Sequence, residues 1–159
     1  MVRVMNIVLI LDNIRSAHNV GSIFRTADGA GVTKIFISGV TPAPSDRFGR
    51  PVKEIAKVAL GAEKAVAWQK TENTTQIISK LKKEGYSVVA LEQDERAVDY
   101  KNFKPSGKIA LIVGNEVGGI SKDILKLCDH VIEIPMKGKK ESLNVSVATG
   151  IALFQIFGQ

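Results

Sequence analysis

Three polar, glycine-bearing segments hold the residues of this chain whose types and spacing suit chemistry. The first is His18-Asn19-Val20-Gly21-Ser22-Ile23-Phe24-Arg25-Thr26-Ala27-Asp28. Arg25 offers a planar fork of donors that matches a phosphate or an oxyanion, and it stays charged at any ordinary pH. Asn19 is suited to capping the helix that follows, its side-chain oxygen accepting a free backbone N–H. The second segment, Ile112-Val113-Gly114-Asn115-Glu116-Val117-Gly118-Gly119-Ile120-Ser121, runs from an apolar strand into a glycine-rich loop. Glycines there let the backbone approach a flat ligand, and Glu116 puts a carboxylate where ligands tend to sit. Ser121 reads as the cap of the next helix. The third, Ile134-Pro135-Met136-Lys137-Gly138-Lys139-Lys140-Glu141-Ser142-Leu143-Asn144-Val145-Ser146-Val147-Ala148, opens the last helix. Ser142 reads as a cap, whereas Asn144 falls inside a helix that it does not favour. Each segment also has a bland reading: a capped helix with a surface arginine, an ordinary strand-to-helix turn, and a pair of caps.

Short runs rich in Val and Ile, bounded by Gly, Asp or Pro, predict strands over 6–11, 34–38, 65–68, 86–91, 108–113 and 131–134. Helical patterns fall between them, over 20–30, 53–60, 74–84, 122–127 and 143–157. In the third of these, Ile77, Ile78 and Leu81 form one apolar face, and Gly85 stops the helix. Strand and helix in alternation predict a single α/β domain, 1–159, with a largely parallel sheet flanked by helices. In open sheets of that kind ligands bind at the carboxyl ends of the strands, and the Gly114–Gly119 loop begins at such an end. The final helix is different. From Ser142 to Gln159 no residue is charged, and Val145, Val147, Ala148, Ile151, Leu153, Phe154, Ile156 and Phe157 cover most of the circumference. A helix apolar all round is buried on more than one side, so one side is expected on the sheet and the other on a second copy of the chain.

The bulk properties narrow the function. The chain has 159 residues, 45% hydrophobic and 24% charged, which suits one globular core and excludes disorder. Its net charge of +6 favours a polyanionic partner. Basic residues gather in two expected loops, with Arg47, Arg50, Lys53 and Lys57 in or after one and Lys137, Lys139 and Lys140 in the other. A dinucleotide-binding domain would need a G-x-G-x-x-G turn after the first strand, and that turn is missing. No Walker loop, H-E-x-x-H, G-x-S-x-G or magnesium-type carboxylate cluster occurs in the sequence. One cysteine (Cys128) and two histidines exclude an internal disulfide and an ordinary structural zinc site, so no metal is expected. No apolar run reaches the roughly 20 residues of a membrane span, and the opening segment makes a poor signal peptide. The expected location is the cytoplasm.

In this order and spacing, the three segments resemble the motifs of SpoU (TrmH) RNA methyltransferases, within the SPOUT superfamily. N-x-G-x-x-x-R-T-A is met by Asn19 to Ala27, the Gly-Asn-Glu segment by Gly114 to Gly119, and I-P-M-x-G-x-x-x-S-L-N-V-S-V-A by Ile134 to Ala148. The resemblance spans almost the whole chain. It implies a C-terminal deep trefoil knot, which general topology rules would have argued against, and a homodimer packed through the C-terminal helix. It implies S-adenosylmethionine bound by Leu91, Gly114, Glu116, Ile134, Met136, Ser142 and Leu143, and methylation of a ribose 2′-hydroxyl in transfer or ribosomal RNA. Arg25 would act at that hydroxyl, with Asn19, Glu116, Ser142 and Asn144 orienting it and the ribose. Histidine is a better residue type for a base, but His18 lies outside the family's catalytic set. Without an appended RNA-binding domain, recognition is expected from the basic loops (Arg47, Arg50, Lys137, Lys139, Lys140) or from an accessory protein. The alternative is a catalytically inactive RNA-binding or assembly module of the same fold. Retention of Arg25, Glu116, Ser142 and Asn144 argues against it.

Overall fold

The structure, a computed structural model, describes residues 5–158; the ends of the expected domain, 1–4 and 159, lie outside the described residues. The elements in chain order are β1 (Asn6–Asp12), α1 (Ala17–Ala30), β2 (Lys34–Ser38), α2 (Lys53–Ala59), the single turn α3 (Ala62–Ala65) and β3 (Ala67–Thr71). There follow α4 (Thr74–Lys83), β4 (Ser87–Leu91), β5 (Val98–Asp99), β6 (Lys108–Val113), α5 (Lys122–Leu127), β7 (His130–Glu133) and α6 (Val145–Phe157). The strands form one sheet in the order β3-β2-β1-β6-β4-β7-β5. Every neighbouring pair is parallel.

Because the sheet is covered on both faces, its central strands bury nearly every side chain beyond their first residue and read as continuous apolar runs. In β1, Ile7, Leu9 and Leu11 join Ile23 and Phe24 of α1, Ile55 of α2, and Leu153 and Ile156 of α6 on one face. Val8 and Ile10 point the other way, onto Ile77, Ile78 and Leu81 of α4 and Leu125 of α5. Truncating one of these fully buried side chains, as in Leu9→Ala, costs about 2–5 kcal/mol. Cys128 is buried in the second cluster. Burial raises its thiol to about 11, so it stays protonated and serves as an apolar side chain.

The structure corrects some of the sequence-based boundaries. Residues 62–65, part of which read as strand, form α3, and the third strand is displaced to Ala67–Thr71. This strand lies at the sheet edge and exposes most of its side chains, so the apolar signal used to place it is weak there. β5 has two residues, too few to show a period. Both polar-rich helix starts also differ from expectation. Ser16, not Asn19, caps α1, its Oγ accepting from the Asn19 N–H at 3.1 Å. Asn144, not Ser142, caps α6, its Oδ1 accepting from the Ser146 N–H at 2.9 Å. In both places the residue immediately before the helix, with ψ at 116° and 136°, takes the role. Ser121 caps α5 as expected.

Where β1 and β2 end, a buried polar network turns the chain outward. Asp12 accepts from Thr74 Oγ1 at 2.6 Å, and Ser38 Oγ lies 2.5 Å from the same hydroxyl. Thr41 Oγ1 donates to the Ser38 carbonyl and accepts from the Ile14 N–H. With these buried groups satisfied, the segments leaving β1 and β2 are held in fixed directions.

Candidate active site

Glu116 lies in the loop leaving β6, and its carboxylate reaches across to the start of α1. It accepts from the N–H groups of Arg15 and Ser16 at 3.1 and 3.0 Å and from Asn19 Nδ2 at 3.2 Å. Burial pushes this carboxyl up, but the N–H groups of Ser16, of Glu116 itself and of Arg15, with the Asn19 amide, outweigh it. The carboxyl is held below its ordinary value. Asn19 is itself buried, and its Oδ1 accepts from Asn144 Nδ2 at 3.2 Å. A chain of hydrogen bonds thus joins all three polar segments, from Glu116 through Asn19 to Asn144.

The glycines of the second segment earn their place sterically. A Cβ on Gly114 would lie 2.6 Å from Ile120 Cγ1 and 2.8 Å from the Ile120 nitrogen, so the loop can fold back only over a bare Cα. Gly119 has φ +65°, and a Cβ there would meet Glu92 Oε2 at 2.3 Å. That same carboxylate oxygen accepts from the Ile120 N–H at 2.9 Å. Asn115 finishes the loop, its Oδ1 accepting from Val117 and Gly118 and its Nδ2 donating to the Asn13 carbonyl.

These segments enclose a cavity of about 560 Å³ at the carboxyl ends of β4 and β6, lined by Leu91, Glu92, Gly114, Glu116, Glu141, Ser142 and Leu143 among others. A smaller adjoining depression shares Leu91, Ser142 and Leu143 and adds Ile134 and Met136. All the residues expected to bind a cofactor therefore converge here. This 560 Å³ cavity carries three carboxylates (Glu92, Glu116, Glu141) and no Lys, Arg or His in its lining. In a protein with a net charge of +6, this is a locally acidic pocket that disfavours phosphate groups and favours a cation. Among the described residues, no group of three His, Cys, Asp or Glu is placed to hold a metal ion.

Arg25 is not in this cavity. It is exposed on α1, in a separate shallow depression with Ser22, Thr26, Val58, Ser146 and Phe154, and its side chain makes no hydrogen bond or ion pair among the described residues. Ser146 donates its hydroxyl to Asn144 Oδ1 at 2.6 Å, so the depression and the cavity meet at the start of α6. His18 is exposed and lines neither of them.

The family model of the SpoU rRNA Methylase family matches residues 6–154. The chain belongs to the SpoU family. It is 35% identical over 153 residues to a Staphylococcus haemolyticus protein assigned to the TrmH family of tRNA/rRNA methyltransferases, a match covering 96% of this chain and 59% of that protein. The chain thus spans under two thirds of the length of the curated relatives it matches. Among solved structures it superposes on the AdoMet-bound rRNA methyltransferase from Sinorhizobium meliloti with TM-score 0.86 and 31% identity, covering 95% of this chain and 55% of that one. It also superposes on the A. aeolicus TrmH/SpoU tRNA modifying enzyme with TM-score 0.84 and 31% identity, covering 99% and 76%.

On this SpoU chain the basic residues expected at RNA are all exposed, in two loops. Arg47 and Arg50 occupy the β2–α2 connection, and Lys137, Lys139 and Lys140 the segment between β7 and α6. Ser142 and Asn144 lie on the cavity wall. Sequence reasoning passed over Glu92, Gln93, Asn115 and Glu141. Gln93 Nε2 donates to the Glu141 carbonyl, tying the end of β4 to the start of the last segment. The carboxyl-end rule that singled out the Gly114 loop applies equally to residues 92 and 93, which follow β4 directly.

Proposed function

We propose that this chain methylates a ribose 2′-hydroxyl in transfer or ribosomal RNA, with S-adenosylmethionine as donor. The observation that carries the reading is the convergence of the three polar segments on one acidic cavity, joined by the Glu116–Asn19–Asn144 hydrogen bonds. The residues present fit that cofactor. Its cationic sulfonium and amino groups suit a pocket lined by Glu92, Glu116 and Glu141, and its adenine suits the apolar depression of Leu91, Ile134, Met136 and Leu143. When bound, it supplies an electrophilic methyl group, which the ribose oxygen takes as the carbon–sulfur bond breaks. The chain's own task is to place the hydroxyl in line and to lower the cost of charge developing there.

An arginine is a poor base, so Arg25 acts as a phosphate ligand and charge stabiliser, and the hydroxyl proton passes to a phosphate oxygen or water. Asn19, Ser142 and Asn144 orient the reactants from the cavity wall, and Glu116 locks Asn19 in place. The C-terminal segment is threaded as a deep trefoil knot. The ties from Glu92 to Ile120 and from Gln93 to Glu141 support this reading, since they hold residues 92–93 against both later segments.

The working form is a homodimer. α6 buries Ala152, Leu153 and Ile156 on the core, yet leaves Val147 and Phe154 51% and 56% exposed on another side, beside the Arg25 depression. A second copy would cover that face and enclose Arg25. Arg47, Arg50, Lys137, Lys139 and Lys140 bring the RNA in, and the location is cytoplasmic. The test is single-turnover transfer of labelled methyl to RNA from a deletion strain, followed by mass spectrometry of the nucleosides. Methyl on a 2′-oxygen is expected; methyl on a base would overturn the ribose assignment.

A further inference from the structure

The β2–α2 connection carries an arrangement that methyl transfer does not account for. Phe48 stands at its tip 65% exposed, although nothing in the fold prevents a polar residue there. The tip is not loose chain. The Asp46 carboxylate accepts from the N–H groups of Phe48 and Arg50 at 2.9 and 3.0 Å and from Arg50 Nε at 2.8 Å. These donors, the Arg50 N–H foremost, hold the Asp46 carboxyl below its ordinary value. Backbone bonds from Asp46 to Arg50 and from Gly49 to Asp46 close the turn, Ser45 bridges Pro51, and Pro44 accepts from the Val52 N–H. Below it, Ala43 and Pro44 are buried. A ring on flexible chain would fold back onto the nearest apolar surface; this one is held out in water.

Two guanidinium groups approach the ring, Arg47 at 4.8 Å and Arg50 at 5.0 Å from its centre. Arg50 has its Nε committed to Asp46, which holds its guanidinium beside the ring. Planar cations and an aromatic face, presented together and rigid, match the chemistry of an unpaired nucleobase. Bases stack on aromatic rings and on guanidinium planes, and the adjacent positive charge suits the phosphates on either side. The connection also begins at the site, since Val40 and Arg15 line a second cavity that shares Asn115 and Glu116 with the first.

We infer that Phe48, flanked by Arg47 and Arg50, is a stacking platform for an unpaired RNA base neighbouring the nucleotide whose ribose is methylated. The inference rests on the RNA reading above. It gives Arg50 ring support as a second task, and it implies that the RNA is single-stranded where it crosses this tip.

The test uses the full chain and a single-stranded RNA dodecamer containing 2-aminopurine, the same strand paired to its complement, and a matching strand with abasic sites. Because Phe48 is exposed, Phe48→Leu and Phe48→Trp should fold as the wild type does. Wild type should prefer the single strand to the duplex and quench the 2-aminopurine. Phe48→Leu should weaken single-strand binding about tenfold. Its salt dependence should be unchanged, because no phosphate contact is lost. Phe48→Trp should retain affinity, and the abasic strand should be insensitive to either change. Adenosylhomocysteine binding should be equal in all three proteins. Undiminished single-strand binding by Phe48→Leu would overturn the platform while leaving the methyltransferase reading intact. An equal loss on the abasic strand, or a change in sedimentation without a change in RNA affinity, would likewise overturn it, the latter assigning the tip to a protein contact. Absence of RNA binding by the wild type would defeat both readings together.

Discussion

Glu116 and Arg25 are both charged residues of the motif-bearing segments, and they sit in opposite kinds of surroundings. Glu116 is held by two backbone N–H groups and an amide, all from one chain, and its loop is shaped by Gly114, Gly119 and Asn115. Arg25 has no partner among the described residues and lies in an open depression bordered by the exposed Phe154. The difference teaches that a single chain can finish a cavity built by backbone at strand ends, where the sheet sets the spacing. An exposed helix face offers no opposite wall of its own. The acidic cavity is preorganised; the Arg25 face is open, and the proposed dimer and RNA are what would close it.

The sharpest break in that comparison is Arg25→Ala. Losing one oriented, charge-stabilising group costs about 10²–10³ in rate, and Arg25→Lys should also be severely impaired because the fork is lost. Adenosylhomocysteine affinity, measured by calorimetry, should stay near wild type in both. Near-normal single-turnover rates would place Arg25 on a merely solvated face.

Phe154→Asp attacks the same face from the other side. A charge on the exposed α6 surface should give monomers in sedimentation, with methyl transfer lost and the cavity still able to bind adenosylhomocysteine. A fully active monomer would show that one chain suffices.

Gly114→Ala acts on the cavity alone. The added carbon meets the Ile120 backbone, and overpacking of this kind costs about 1–3 kcal/mol. Cofactor affinity should fall about tenfold or more, since the same backbone forms the cavity wall, while the sedimentation coefficient of the assembly stays unchanged. Unaltered ligand binding would mean that the wall can yield.

The smallest effect is in pH. The Glu116 carboxyl is depressed in the folded chain from its ordinary 4.5. Its stabilising contribution is therefore fully present above that value and is lost as pH falls through the depressed native one. Denaturant midpoints measured downward from about pH 5 should drop less steeply for Glu116→Gln than for wild type. Parallel curves would show that the hydrogen bonds at Arg15, Ser16 and Asn19 do not depend on the charge.

Much of the architecture was legible because the signals are local. The apolar runs of β1, β2 and β6 are continuous where both faces are buried, and Ile77, Ile78 and Leu81 mark the buried stripe of α4. The edge strand β3 and the two-residue β5 were misplaced or missed because neither has enough buried positions to show a period. For the site, motif spacing picked out Asn19, Arg25, Gly114, Glu116, Ser142 and Asn144, yet it assigned Asn19 the wrong local task. An asparagine near a helix start looks like a cap, and only the neighbouring strand end shows that its amide is needed by Glu116.

By itself, then, the sequence determined the elements, their alternation, the uncharged last helix and the identity of the polar residues, since each depends on propensity, burial period or residue chemistry within a few positions. Tertiary structure decided which of those residues meet. Glu116 lies 97 positions from Asn19, and Asn19 lies 125 from Asn144, yet each pair is within hydrogen-bond reach. The sheet order, with β6 placed between β1 and β4, brings their loops to one edge. No local pattern encodes that order, because strand pairing is fixed by the packing of whole faces rather than by any single stretch of chain.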